Sequence, residues 1–265
     1  FLINKFSPVV YEVNSVIGPV EDRRTSLLES NNLFSGLRHL SEARNLENDI
    51  NSLNSFSLVS ATIKNLNLET GYFKEKNTLF GRARQVFTGN HYLVSIDKSH
   101  VQPINTKFYI QVLDENSFRL TVSEEKVSLY NYIDNVIVST NHVLDIDTIC
   151  HFNETISNGY FKFSVFLNRE LLSAEKESDD NDYFVFYHVD QITKSYLSRL
   201  TVEPVSIRSS LINVKFQGEN IRLTIDFLNK YLQTYLDENL SKKNRIAQNT
   251  ISFIESQISD ISDSL

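Results

Sequence analysis

Hydrophobic and polar positions change period several times along the chain, and each change marks an element. Residues 8–17, PVVYEVNSVI, are rich in Val, Tyr and Ile with partial alternation and end at Gly18-Pro19, which predicts a strand and a turn. Between Leu27 and Leu68 the apolar residues recur at steps of three and four: Leu33, Leu37, Leu40, then Leu46, Ile50, Leu53, then Phe56, Val59, Ile63, Leu66. That spacing predicts amphipathic helices, broken near Asn51 to Ser55, with Asn54 or Ser55 capping the second.

From Gly71 to about Ser178 the composition shifts to strand formers. Tyr92–Ile96, Lys107–Leu113, Ser117–Val122, Val136–Ser139 and Tyr160–Leu167 are predicted strands, with Asp114-Glu115-Asn116 as a turn. Short strands with little helical period predict an all-β insertion, a sandwich or a jelly roll. The charged run Ala174 to Asp182 is predicted to be a loop and a boundary. Beyond it the pattern gives a strand at Tyr183–Tyr187, a helix at Asp190–Leu197, and strands at Leu200–Val202 and Leu211–Phe216. The fold class is therefore α+β. It divides into a discontinuous α/β base (1–75 and 179–218), an insertion (76–178) and a C-terminal helix (219–265).

After Gly218 neither Gly nor Pro occurs again, and apolar residues fall at 221, 225, 228, 232 and 235, then at 247, 251, 254, 258, 261 and 265. Alternating steps of four and three form a heptad seam, and a helix of this length extends on the order of 70 Å. Ile225, Leu228 and Leu232 are predicted to face the base, whereas Ile251, Ile254, Ile258 and Ile261 are predicted to face another helix at an interface.

Charge and composition narrow the classes. The formal net charge is −7 with no basic run, which argues against a nucleic-acid partner. Cys150 is the only cysteine, so an intramolecular disulfide and a thiolate metal cluster are excluded. No apolar run spans a bilayer. The absence of methionine suggests a processed or excised chain, and the opening FLINKF suits the exit from a membrane helix.

Several collinear stretches resemble one family. SPVVYEVNSVI, LENDINSLNSFSLVSATIKNLNLETGYF, YFVFYHVDQITKSYLSRLTVEPVS, and IDFLNKYLQTYLDENLSKKNRIAQNTISFIESQISDISDSL are similar to the extracytoplasmic region of chain-length determinant proteins, the polysaccharide co-polymerases. The subgroup most resembled carries a cytoplasmic tyrosine autokinase, the Wzc type of Bacteroidetes-like bacteria. The likeness covers roughly Phe1 to Phe73 and Tyr183 to Leu265, and the centre resembles only that subgroup's insertion. It implies a periplasmic domain of an inner-membrane protein that forms a ring-like homo-oligomer and governs chain length and export of capsular or exopolysaccharide. The polysaccharide chain, its polymerase and an outer-membrane channel are the implied partners. No G-x-x-x-x-G-K-[ST] loop occurs at any of the seven glycines, so kinase chemistry would belong to another part of the parent protein. The proline-rich segment usual before the second membrane helix is also missing.

Site chemistry is sparse. His142, Asp145, Asp147, Cys150 and His151 offer ligand types without a metal-binding spacing, and there is no G-x-S-x-G elbow. No catalytic residue, cofactor or metal ligand is assigned. The alternative function is a lectin-like module centred on the insertion. Sugar rings would stack on Tyr92, Tyr109, Tyr130 and Tyr132, with Phe87 and Tyr160 nearby, although no Trp is present.

Overall fold

The computed structural model describes residues 9–18, 46–76, 83–169, 180–206 and 209–263. They form a mixed α+β structure with antiparallel sheets and a long C-terminal helix, as the periodicity indicates.

The two ends of the chain meet in one sheet. β1 (Tyr11–Ile17), β12 (Leu200–Pro204) and β13 (Ile212–Gly218) form an antiparallel trio with β13 central, pairing Tyr11 with Gly218 and Leu200 with Phe216. Along β13, Ile212, Val214 and Phe216 are buried while Asn213, Lys215 and Gln217 point away, the period-two pattern of a one-sided sheet. Four helices accompany this sheet: α1 (46–53), α2 (Phe56–Asn65), α3 (Val189–Leu197) and α4 (Ile221–Asp263). Their buried residues, among them Leu58, Ile63, Tyr196, Phe227 and Tyr231, close a first core with β13. The Ser55 hydroxyl caps α2 by accepting from the Leu58 amide at 3.3 Å. The Tyr231 hydroxyl donates to the Leu53 carbonyl. At Gly218 a Cβ would meet Thr224 Oγ1 at 2.5 Å, so only glycine lets the strand turn this tightly into α4.

A second core lies between two further antiparallel sheets. β4 (Tyr92–Ile96), β10 (Lys162–Leu167) and β9 (Thr155–Ser157) make the smaller, in the order β4-β10-β9. The larger runs β3-β2-β11-β6-β7-β5, built from β3 (Ala83–Val86), β2 (Thr70–Lys76), β11 (Asp180–Phe186), β6 (Phe108–Val112), β7 (Ser117–Asn131) and β5 (Gln102–Ile104). β8 (Val136–His151) pairs with β7 at one edge. Phe108, Phe184 and Phe186 of the larger sheet meet Phe163 of the smaller sheet and Phe161 just before it at ring separations of 5.4–5.6 Å. Edge-to-face pairs of this kind favour a fixed geometry as well as burying area.

Three expectations are corrected. Residues 70–75 and 180–186, assigned to the base by sequence, lie in β2 and β11 of the larger sheet. Within the predicted loop, Asp180–Asp182 is strand, because Asp182 lies opposite Lys74 in register. Residues 174–179 lie outside the described residues. The strands predicted at Ser117–Val122 and Val136–Ser139 run on to 15 and 16 residues as one long hairpin. The polar stretch Ser123–Lys126 hides the continuation of β7, since it is exposed yet still within the strand, with a register irregularity between Glu124 and Val127.

Where the chain passes between the cores, the two crossings are tied together. The Tyr187 amide donates to the Glu69 carbonyl at 2.8 Å, and the Tyr132 hydroxyl to the Tyr187 carbonyl at 2.9 Å. Thr70 and Phe186 are register partners.

Candidate functional site

Helix α4 has two unlike halves. Its 43 residues rise about 65 Å at about 1.5 Å each. Up to Tyr235 one face is buried: Leu223, Phe227, Leu228, Tyr231, Leu232 and Tyr235 all lie in the first core. Phe227 sits 4.3 Å from the Phe216 ring and 4.8 Å from that of Tyr196, which fastens the helix to both β13 and α3. From Leu240 to Ile258 every residue is exposed.

The apolar residues of this outer half do not continue the body-facing stripe. At about 3.6 residues per turn, Leu240 is nine residues, or about two and a half turns, from Tyr231, and so lies on the opposite side of the helix. Leu236, Leu240, Ala247, Ile251, Ile254 and Ile258 follow one another at steps of four, seven, four, three and four on that side. Leu240, Ile251, Ile254 and Ile258 are 59%, 55%, 50% and 62% exposed, and Phe253, about five turns on from Tyr235 and so on the other side of the helix, is 65% exposed. The body cannot cover a stripe that points away from it. Covering one such side chain contributes roughly 1.5–3 kcal/mol. Ile251, Ile254 and Ile258, expected at an interface from their spacing, are exposed in this chain. The side chain of Ile261 lies outside the described residues.

Ile225 is a correction. It is exposed, whereas the predicted neighbours Leu228 and Leu232 are buried. The body reads the helix through Phe227 and Tyr231, whose larger rings fill the space above β13, and this turns Ile225 outward. Leu236 was missed as a stripe residue. The four-residue step from 236 to 240 was the available signal.

The four tyrosines expected to contact sugar are not brought together. Tyr92 is buried in the second core, edge-on to Tyr72 at 5.8 Å and Phe184 at 6.4 Å. Tyr130 is buried between Tyr132 at 4.8 Å and His188 at 4.5 Å, and its hydroxyl bonds to Asn135. Neither offers a free ring face, which corrects the stacking role given to them. Tyr132 is partly buried with its hydroxyl committed to the Tyr187 carbonyl, and burial raises its pKa. Tyr109 is the accessible one, but Tyr183 at 5.3 Å and the Lys107 ammonium lie against it.

Other titratable groups have structural partners. Asp97 is held well below the usual carboxylate range by hydrogen bonds from Lys162 and Ser99, and Glu203 is lowered by Lys215 at 2.6 Å. Asp114 is lowered by the Asn116 amide and Ser117 in its turn. Burial raises the Cys150 thiol, while the adjacent His151 is exposed, as alternation along β8 requires. Asp147 pairs with Arg119 at 3.2 Å. Among the described residues no three His, Cys, Asp or Glu side chains are grouped to hold a metal ion, and no helix is long and apolar enough to cross a membrane.

No protein-family model matches the chain, and no curated protein matches its sequence.

Proposed function

We propose that this chain is the periplasmic assembly region of a polysaccharide co-polymerase, an inner-membrane protein that forms a ring and governs the length and export of capsular or exopolysaccharide. In this reading the first core is a discontinuous base and the β-rich part an insertion. The observation that carries it is the apolar stripe on α4, set opposite the face that packs on the body. Such a stripe is of use only against a second helix, from a neighbouring subunit or from the parent chain. The collinear resemblance of residues 183–265 to that family supplies the polysaccharide context.

The test is Ile254→Asp with Ile258→Asp in the full-length membrane protein. Oligomer size after detergent extraction should fall, and the melting temperature of the soluble chain should change little, because both side chains are exposed in it. Intact oligomers, or an unfolded body, would overturn the proposal. The lectin-like alternative no longer rests on Tyr92 or Tyr130, which are buried.

A further inference from the structure

The apolar stripe on α4 holds one polar position. Asn244 divides the seven-residue step from Leu240 to Ala247 into four and three, so 240, 244, 247, 251, 254 and 258 alternate steps of four and three without a break. Leu240, Ala247 and Ile254 then hold one set of heptad core positions, and Asn244, Ile251 and Ile258 the other. Asn244 is exposed in this chain, like the rest of the outer half.

Covering the stripe puts Asn244 among apolar side chains, where a carboxamide without a partner costs stability. A second carboxamide matches its donor and its acceptor. The same helix of another copy supplies one in only one orientation. Laid antiparallel with the stripes overlapped, Leu240 meets Ile258 and Asn244 meets Ile254 of the other copy, and both carboxamides are left unpaired. Laid parallel and in register, each residue meets its own counterpart. Asn244 then bonds to Asn244, and the isoleucines at 251, 254 and 258 form layers with themselves. A single asparagine in such a seam is a known way of fixing register.

The surroundings of the stripe suit this arrangement. Lys243 and Thr250 border the seam on one side, Gln248 and Glu255 on the other. In the parallel register Lys243 lies beside Gln248 and Thr250 beside Glu255, so no like charges meet. Nearer the body, Ile221, Ile225 and Leu236 lie on the stripe's side of the helix and are exposed, whereas Phe227 and Tyr231 press the opposite face onto the body. Two parallel helices can therefore approach to the roughly 8–10 Å of packed helices with each body on the outer side. Resting on the assembly proposal above, we infer that α4 pairs with α4 of a neighbouring copy, parallel and in register, and that Asn244 sets that register.

The experiment is disulfide trapping in this chain at millimolar concentration, with Cys150→Ser removing its only cysteine. Under copper-catalysed air oxidation, Asn244→Cys and, separately, Ile251→Cys should give linked pairs of chains several-fold faster than Phe253→Cys, which lies off the seam. A mixture of Leu240→Cys and Ile258→Cys chains should form 240–258 links no faster than the Phe253→Cys background. Adding Asn244→Ile to both members of that mixture should raise the 240–258 links several-fold, because the carboxamide that excludes the antiparallel pair is gone. Linking at 244 and 251 no faster than at 253, or 240–258 links with Asn244 in place, would overturn the inference. So would a mixture that Asn244→Ile leaves unchanged, which removes Asn244 from the choice of register. None of these results touches the assembly proposal, which fails separately if oligomers of the full-length membrane protein survive the paired Asp substitutions at 254 and 258.

Discussion

The helix α4 carries two phenylalanines whose replacement separates anchoring from display. Phe227 is fully buried and meets the rings of Phe216, Tyr196 and Tyr231 at 4.3, 4.8 and 5.9 Å. Phe227→Ala removes a side chain whose burial contributes up to about 3 kcal/mol, and it leaves a cavity that the sheet on one side and α3 on the other cannot collapse to fill. Lost ring pairs add to this, so about 3–5 kcal/mol is expected, a large share of the ~5–15 kcal/mol that holds a typical domain. Phe253, 65% exposed in the same helix, has no such surroundings, and Phe253→Ala should stay within about 0.5 kcal/mol. Urea unfolding followed by far-UV circular dichroism measures both, with the midpoint shift multiplied by a common slope. A Phe227→Ala cost below about 1 kcal/mol would refute the anchoring of the helix to β13. A Phe253→Ala cost above about 2 kcal/mol would show that the outer half is already covered in the isolated chain.

Gly71→Ala should destabilise by about 1–3 kcal/mol, because the new methyl would lie 2.6 Å from the Tyr187 ring, which must shift to admit it; thermal melting checks this. Ser55→Ala should cost about 1 kcal/mol by removing the cap of α2, measured in the same way, with Ser55→Asp retaining most of it. Burial pushes Tyr196 and Tyr235 up to about 12, so the folded state holds these phenols neutral where an unfolded tyrosine near 10 would ionise. Their contribution is complete below pH 10 and is lost as pH rises from there through 12, so alkaline unfolding should set in across that window. Tyrosinate absorbance should then rise together with loss of the circular dichroism signal; complete ionisation of all 12 tyrosines near pH 10 with the fold intact would contradict the burial.

Elements whose evidence is local were legible in the sequence. The alternation of Ile212, Val214 and Phe216 and the steps of α4 each carry their own period, and both appear where the pattern puts them. What failed depends on partners far away in the chain. Asp182 enters a strand because Lys74 stands opposite it, and no property of the charged run itself announces that. Tyr92 and Tyr130 have the composition of a sugar platform, but their burial is decided by Tyr72 and Phe184 in one case and by Tyr132 and His188 in the other. At Ile225 the spacing put toward the body a side chain that is exposed, because the body packs instead on the larger rings of Phe227 and Tyr231.

The pairing of Thr70 with Phe186 has a consequence for chain entropy. The 115 residues from 71 to 185 leave and return at points one strand spacing apart, about 4.8 Å. To the rest of the molecule they are a single closed loop. Closing a loop costs about 0.6 kcal/mol more for each doubling of its length, so this excursion costs only about 3 kcal/mol more than a four-residue turn at the same place. The aromatic layer of Phe108, Phe161, Phe163, Phe184 and Phe186 outweighs that difference by itself. A short turn joining 70 to 186 should therefore cost the first core only the contacts that the excursion makes with it, Phe87 against the core, Gln85 with Asn220 and Asn105 with Gln191.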